Sequence, residues 1–285
     1  VSEAASRAAQ AKSQADTSTE GLPPIGAVLR PRVDTLLRPQ QGWSNTMRDQ
    51  RTPVATARPG HGLDAPRFRQ RLVEMLQADG CDDAVVLAAI GKVPRHHFID
   101  SALAAQAYED TALPIGLGQT ISKPSVVARM LALLRLRPDG GSRTLGRVLE
   151  IGTGCGYQAA LLEHLARQVY SVERLKPLFD KARSHLADLR SDRLRLIYGD
   201  GRLGHAPNAP YDGIIAAAGG DDIPAAWIDQ LAPGGRLVAP CGDAASGAQR
   251  LVVIDRLADA TLVQQTLESV RFVPLQSGVN DSRHG

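Results

Sequence analysis

The sequence has no apolar run long enough to cross a bilayer. Its longest runs, such as Ala84 to Ile90, hold about seven residues, against the roughly 20 that a membrane-spanning helix needs, so no membrane contact is expected. Cysteine is scarce. Cys81, Cys155 and Cys241 are odd in number, far apart and form no C-x-x-C pair, which argues against zinc, a redox dithiol or a disulfide framework. His96, His97, His164, His185 and His205 show no ligand spacing with cysteine or carboxylate, so no metal is expected. An excess of one charge is missing as well. Residues 1–62 hold 8 Lys/Arg and 5 Asp/Glu, leaving 25 of each in the rest, so the formal net charge of +3 belongs to the first stretch. A neutral remainder offers no basic face to nucleic acid. The start lacks the basic and then apolar pattern of a secretory signal, and a cytoplasmic monomer is the expectation.

What the chain does have is 285 residues, 43% of them hydrophobic, enough to bury one large core. Residues 1–62 are rich in Ala, Ser, Gln, Arg, Pro and Gly without a sustained apolar period. They are expected to form a disordered or weakly ordered extension, with residues 63–285 as the folded domain. Leu72, Met75 and Leu76 recur at helical spacing, and Asp82 or Asp83 can cap a second short helix through Ile90. Strand and helix signals then alternate: strand 147–151, helix 157–167, strand 169–173, helix 175–189, strands 194–198 and 213–217, helix 223–231. This rhythm predicts an α/β fold with a doubly wound, mostly parallel sheet. Beyond Pro233-Gly234-Gly235, three β-rich runs (236–240, 250–256 and 262–273) are expected to close the sheet with antiparallel pairing.

Val148-Leu149-Glu150-Ile151-Gly152-Thr153-Gly154-Cys155-Gly156-Tyr157 runs from an apolar strand into an Ala/Leu-rich helix. That is the context a ligand-binding glycine loop requires. A dinucleotide fingerprint, G-x-G-x-x-G, needs glycine at 157, where this chain has tyrosine. The pattern E-x-G-x-G-x-G instead resembles the first motif of class I methyltransferases, whose loop holds the methionine end of S-adenosylmethionine. Gly152, Thr153, Gly154 and Gly156 are therefore candidate cofactor contacts. Glu173 ends the next strand, 19 residues past Gly154, where a carboxylate can accept both ribose hydroxyls. Asp200, in Gly199-Asp200-Gly201, could accept from an adenine amino group, with Gly201 beside it. Read singly, Glu173 is a solvated strand end and Asp200 a turn former.

Upstream lies Ala112-Leu113-Pro114-Ile115-Gly116-Leu117-Gly118-Gln119-Thr120-Ile121-Ser122-Lys123-Pro124, leading into a helix over 125–134. This segment closely resembles protein-L-isoaspartate (D-aspartate) O-methyltransferases. The resemblance continues through Val93-Pro94-Arg95, Gly199-Asp200-Gly201-Arg202 and Val273-Pro274-Leu275, covering roughly residues 66–279. It implies Ser122 as the active-site serine, with Thr120 and Ile121 lining the cofactor and substrate pocket. It also implies S-adenosylmethionine as methyl donor and, as substrates, damaged or flexible proteins and peptides carrying isoaspartyl residues, whose α-carboxyl is methylated for repair through a succinimide. From the residues alone, Ser122 reads first as a helix N-cap before Pro124, and only the resemblance moves it to the active site. A different small-molecule or nucleic-acid acceptor, and a non-catalytic binder of the cofactor, stay open.

The chain departs from the family at Ala218-Gly219-Gly220-Asp221-Asp222, where relatives commonly carry prolines. Two glycines predict a more flexible loop on the substrate side. Pro240-Cys241 superficially matches the nucleophile of cytosine-C5 methyltransferases, but its place after a late strand favours a buried cysteine acting as a small hydrophobe. Lys123 reads as a solvated lysine.

Overall fold

The computed structural model describes residues 66–136, 141–189, 191–242 and 248–281; the extension expected over 1–62 lies outside the described residues. Two helices open the described chain, α1 (Pro66–Ala78) and α2 (Ala84–Lys92). In α1, Leu72 and Leu76 lie one turn apart and both are buried, as an amphipathic helix requires. Asp83, rather than Asp82, starts α2. Its Oδ1 accepts the N–H groups of Val85 and Val86 at 3.0 and 3.1 Å, satisfying donors that a helix start leaves free. A hairpin follows, β1 (Leu113–Gly116) against β2 (Gln119–Ile121), and then α3 (Pro124–Arg135).

The main sheet is built from β3 (Leu145–Ile151), β4 (Ala166–Glu173), β5 (Leu194–Tyr198), β6 (Tyr211–Ala216), β7 (Leu231–Gly242), β8 (Gln249–Arg256) and β9 (Leu262–Val270), in the order β5-β4-β3-β6-β7-β8-β9. Crossover helices α4 (Tyr157–Leu165), α5 (Lys176–His185) and α6 (Ala225–Gln230) connect the parallel strands, since two parallel neighbours cannot be joined by a tight turn. Strands β5, β4, β3, β6 and β7 are mutually parallel, whereas β8 and β9 are antiparallel. Of the three late runs, the first therefore pairs parallel to β6, because α6 carries the chain back before it begins.

Boundaries differ from expectation at several elements, and two of the differences follow from strand pairing. Helix α4 stops at Leu165, because Ala166 already pairs with Leu145 as the first residue of β4. Pro233-Gly234-Gly235 does not separate helix from strand but lies inside β7, where Gly234 has φ +77° and the pairing with β6 shifts register between Tyr211 and Gly213. Two steps along β6 there face five along β7, so β7 carries three extra residues, an enlarged form of β-bulge.

Both faces of the sheet are buried at its central strands. One face packs Val148, Val169 and Ile215 under residues of α3, α4 and α5; the other packs Leu149, Tyr170 and Tyr211 under Trp227 of α6. Strands buried on two sides read as nearly continuous apolar runs, which is the pattern of β3 and β4. The chain enters the sheet at β3, runs outward through β4 and β5, and returns to β6. At that reversal the strand ends diverge and leave a crevice. Register aligns Ile151 with Val172 and with Ala216, so three carboxyl ends open onto the same edge.

Candidate active site

Beyond Ile151 the chain turns through Gly152, Gly154 and Gly156, with φ of +88°, +56° and +93°. A side chain costs about 1 kcal/mol or more in this left-handed region, so the alternating glycines are a backbone requirement. The loop is tied to the neighbouring strand. Gly152 and Thr153 donate to the Val172 carbonyl at 2.9 and 3.2 Å, and Gly154 N–H donates to Glu173 Oε2 at 2.8 Å. Glu173 Oε1 accepts from Leu175 N–H at 2.9 Å. Glu173 is only 5% exposed, so it is no solvated strand end. Burial raises its pKa, and the N–H groups of Leu175 and Gly154 oppose that shift. A carboxylate oxygen accepts more than one hydrogen bond, so each keeps capacity for a ligand hydroxyl.

Beneath the loop lies Glu150, fully buried in β3. Its Oε2 accepts from Ser171 Oγ, which also pairs with Thr153 Oγ1 in the loop. Desolvation pushes the Glu150 carboxyl up to about 8, while Ser171 and Gln158 pull the other way. Gln158 acts from beyond good hydrogen-bond geometry, since neither its Nε2 nor Glu150 Oε1 has a partner among the described residues. The folded pKa lies above the ordinary 4.5, so the folded state binds more protons than the unfolded chain between those values. Stability contributed here is complete below about 4.5 and is lost as pH rises towards 8. Glu150→Gln is therefore expected to flatten the decline, retaining on the order of 2–4 kcal/mol more than the parent at alkaline pH relative to acid. Urea melts at a series of pH values check this, and parallel pH profiles would show that Glu150 does not titrate in the fold.

The hairpin β1–β2 brings Thr120, Ile121 and Ser122 to the opposite wall of the crevice. Ser122 is not a helix cap. The N-cap position of α3 is Lys123, whose exposed side chain makes no capping bond. Asp110 does that work from 15 residues upstream, its two oxygens accepting Ser125 N–H and Ser125 Oγ, each at 2.8 Å. The Ser122 carbonyl is held by Arg95 Nη2 at 2.8 Å, and among the described residues its hydroxyl has no partner. Side by side, Thr120, Ile121, Ser122, Gly152, Thr153, Gly154, Glu173 and Gly201 line one cleft, floored by Ile151 and Val172. Trp227 Nε1 fixes the Gly201 carbonyl from below at 2.8 Å.

Two expected contacts are absent from that lining. Gly156 turns the chain into α4, and a Cβ there would stand 2.9 Å from Leu186 Cδ1, so its role is close packing. Asp200 gives Oδ1 to Arg202 N–H at 2.8 Å and Oδ2 to Gly278 N–H at 2.6 Å. It shapes a turn and anchors the C-terminal segment instead of facing the cleft.

That segment, residues 273–281, forms a strap across the carboxyl edge of the sheet, and sequence reading had not assembled it. Val273, Pro274, Leu275 and Gln276 line the cleft. Arg174, adjacent to Glu173, donates to the Gly278 carbonyl and to Gln276 Oε1, both at 2.9 Å. Asn280 N–H reaches the Arg174 carbonyl and Lys176 N–H reaches the Asn280 carbonyl, each at 2.9 Å. Tyr198 hydroxyl donates to Asp281.

A glycine loop at the end of the first strand, an acid at the end of the second and a small-residue turn after the third meet at one cleft. The matching family model, described as Protein-L-isoaspartate(D-aspartate) O-methyltransferase, spans residues 67–280. The chain belongs to that family. A protein-L-isoaspartate O-methyltransferase of Leptothrix cholodnii is 66% identical over 86% of this chain and 85% of its own. Another, of Methylibium petroleiphilum, is 63% identical over 86% and 90%. A solved protein-L-isoaspartate O-methyltransferase covers 74% of this chain and 67% of its own at 29% identity, with a TM-score of 0.66. A structure from Plasmodium falciparum, holding S-adenosyl-L-homocysteine, covers 73% and 98% with a TM-score of 0.60; at 23% identity it shows the shared fold. The sheet is thus that of a class I methyltransferase.

For a member of the protein-L-isoaspartate O-methyltransferase family, Gly219-Gly220 predicted a loosened loop, and the structure corrects this. Gly219 N–H donates to the Val273 carbonyl at 2.9 Å, its own carbonyl accepts from Leu275 N–H at 2.8 Å, and the Gly220 carbonyl accepts from Gly242 N–H at 2.7 Å. A Cβ on Gly219 would fall 2.7 Å from Gln249 Nε2, and a proline would lack the donated N–H. Gly219 therefore seats the strap, and Gly220 ties the loop to β7. Cys241 is half-buried, with Sγ 3.5 Å from the Asp221 carbonyl; burial raises its pKa, the opposite of an activated nucleophile. Among the described residues, no group of three or more His, Cys, Asp or Glu side chains is placed to hold a metal ion, and no helix is long and apolar enough to cross a membrane.

Proposed function

We propose that this chain transfers a methyl group from S-adenosylmethionine to the α-carboxylate of L-isoaspartyl, and also D-aspartyl, residues in damaged proteins. The observation that carries the acceptor half is Ser122: it lines the cleft, and its hydroxyl bonds to none of the described residues, Asp110 capping the helix instead. Family membership supports the same reading.

In this reading S-adenosylmethionine, when bound, supplies an electrophilic methyl group on a sulfonium sulfur. The chain fits it through the glycine loop at Gly152–Gly154 for the amino-acid end, Glu173 for the ribose hydroxyls and Gly201 near the base. The acceptor carboxylate is ionised at neutral pH, so the chain needs no general base. Ser122 orients that carboxylate by donating a hydrogen bond. Thr120 and Ile121 wall it in from one side, and Ala217, Ala218 and the strap do so from the other. A shielded carboxylate is less solvated and better aligned for displacement. The resulting ester activates the carbonyl towards the neighbouring backbone nitrogen, whose attack expels methanol and gives a succinimide; its hydrolysis returns some normal aspartate without further residues of the enzyme. The chain is read as acting alone, as a cytoplasmic monomer on flexible protein segments, away from nucleic acid and membranes; its balanced charge beyond residue 62 supports the part that concerns nucleic acid.

The deciding experiment compares two peptides that differ only in an isoaspartyl or aspartyl linkage. A base-labile methyl ester is expected on the isoaspartyl peptide with ~100-fold or greater preference in kcat/KM. Methylation of other acceptors without any ester on this peptide would sink the assignment.

A further inference from the structure

Arg95 is fully buried in the turn after α2 and does not line the cleft. Its Nη2 donates to the Ser122 carbonyl at 2.8 Å and to the Thr111 carbonyl at 3.3 Å. The guanidinium carbon lies 4.9 Å from the centre of the Tyr157 ring, close enough for a cation–π contact. Nε and Nη1 have no hydrogen-bond partner among the described residues, nor has the Tyr157 hydroxyl. Asp110, a nearby carboxylate, is bonded to Ser125.

A buried cation without a bonded anion destabilises a fold relative to an apolar side chain of similar volume. Core packing therefore gives no reason for arginine at 95. What arginine supplies is a rigid planar fork that holds two carbonyls at one edge while its face covers a ring. The held groups belong to separate elements, and two of them, Ser122 and Tyr157, line the cleft. Ser122 and Thr111 flank the hairpin on the acceptor side, and Tyr157 is the first residue after the glycine loop on the donor side.

We infer that Arg95 is a positioning residue that sets the separation between Ser122 and the glycine loop, acting on methyl transfer through Ser122 without touching either reactant. This deepens the proposed function and rests on it for the role of Ser122. A small error in that separation is costly because displacement requires close alignment of the reacting atoms.

The test uses the full chain carrying Arg95→Met, Arg95→Lys, Ser122→Ala and the Arg95→Met/Ser122→Ala pair. It reads peptide methylation, calorimetric affinity for S-adenosylhomocysteine and hydrogen exchange. Arg95→Met is expected to lower kcat ~10- to 50-fold, keep affinity within about threefold and speed exchange over residues 112–123. Arg95→Lys, a point charge unable to serve both carbonyls, is expected to show a smaller kcat loss, and decides the matter if the Met variant does not fold. The double variant is expected to be no slower than Ser122→Ala within about threefold, since groups acting as a unit are non-additive. Wild-type kcat in folded Arg95→Lys would overturn the inference. So would multiplicative losses in the double variant, or a kcat loss matched by an equal loss of affinity. If the wild type forms no isoaspartyl ester, the acceptor reading falls; exchange over 112–123 then decides the spacer alone, faster supporting it and unchanged overturning it.

Discussion

Replacing Ser122 by alanine is expected to lower turnover of an isoaspartyl peptide ~100-fold while leaving thermal stability nearly unchanged. The two halves of that result have separate causes. Among the described residues the hydroxyl has no partner: the start of α3 is capped by Asp110, and the Ser122 carbonyl, not its side chain, is the bonded group. Substitutions that remove no structural contact usually stay within about 0.5 kcal/mol. Removing one aligned donor from a reacting centre, in contrast, costs on the order of 10²-fold or more. Steady-state kinetics beside a melting curve check both. Negligible, equal turnover in parent and variant, with cofactor binding intact, would favour a protein that binds without catalysing. A drop in melting temperature parallel to the drop in rate would return Ser122 to a structural role.

Glu173→Ala is expected to weaken cofactor binding by roughly 2–4 kcal/mol, or ~30- to 1000-fold in Kd. Hydrogen bonds to a charged group account for part of this. The remainder follows from the structure, since the same carboxylate fixes Gly154 and Leu175 through their N–H groups, and its loss frees the loop that receives the other end of the ligand. Glu173→Gln keeps one acceptor oxygen and should lose less. Because burial raises the Glu173 pKa, affinity should begin to fall on acidification at a higher pH than an ordinary carboxylate would give. Calorimetry with S-adenosylhomocysteine decides; unchanged affinity in Glu173→Ala would place the ribose elsewhere.

The features legible in the sequence were those with local or periodic causes. Apolar runs in β3 and β4 mark strands buried on both faces, and alternating glycines mark a turn that side chains resist. Asp83 sits beside the N–H groups it caps. Features set by distant partners were not legible. Nothing near Ser125 shows that Asp110 caps its helix, so Ser122 looked like a cap. Asp200 looked available to a ligand because the main-chain group it binds, Gly278 N–H, lies 78 residues further on. Gly156 belongs to a ligand-binding pattern, yet its missing side chain makes room for Leu186. Gly219 and Gly220 suggested looseness from composition alone, whereas their backbone groups are occupied by the strap and by β7.

The strap is seated largely by its main chain: Val273, Ser277, Gly278 and Asn280 offer carbonyls, while Leu275, Gly278 and Asn280 offer N–H groups. Its position is thereby separated from the identity of most of its side chains. Val273 and Leu275 can be exchanged for other residues while the segment keeps its course, and such exchanges would alter the shape of the cleft without rebuilding the sheet below. This gives the fold a rim whose course survives side-chain replacement, a place where the shape of the cleft can be redirected by design without rebuilding the sheet.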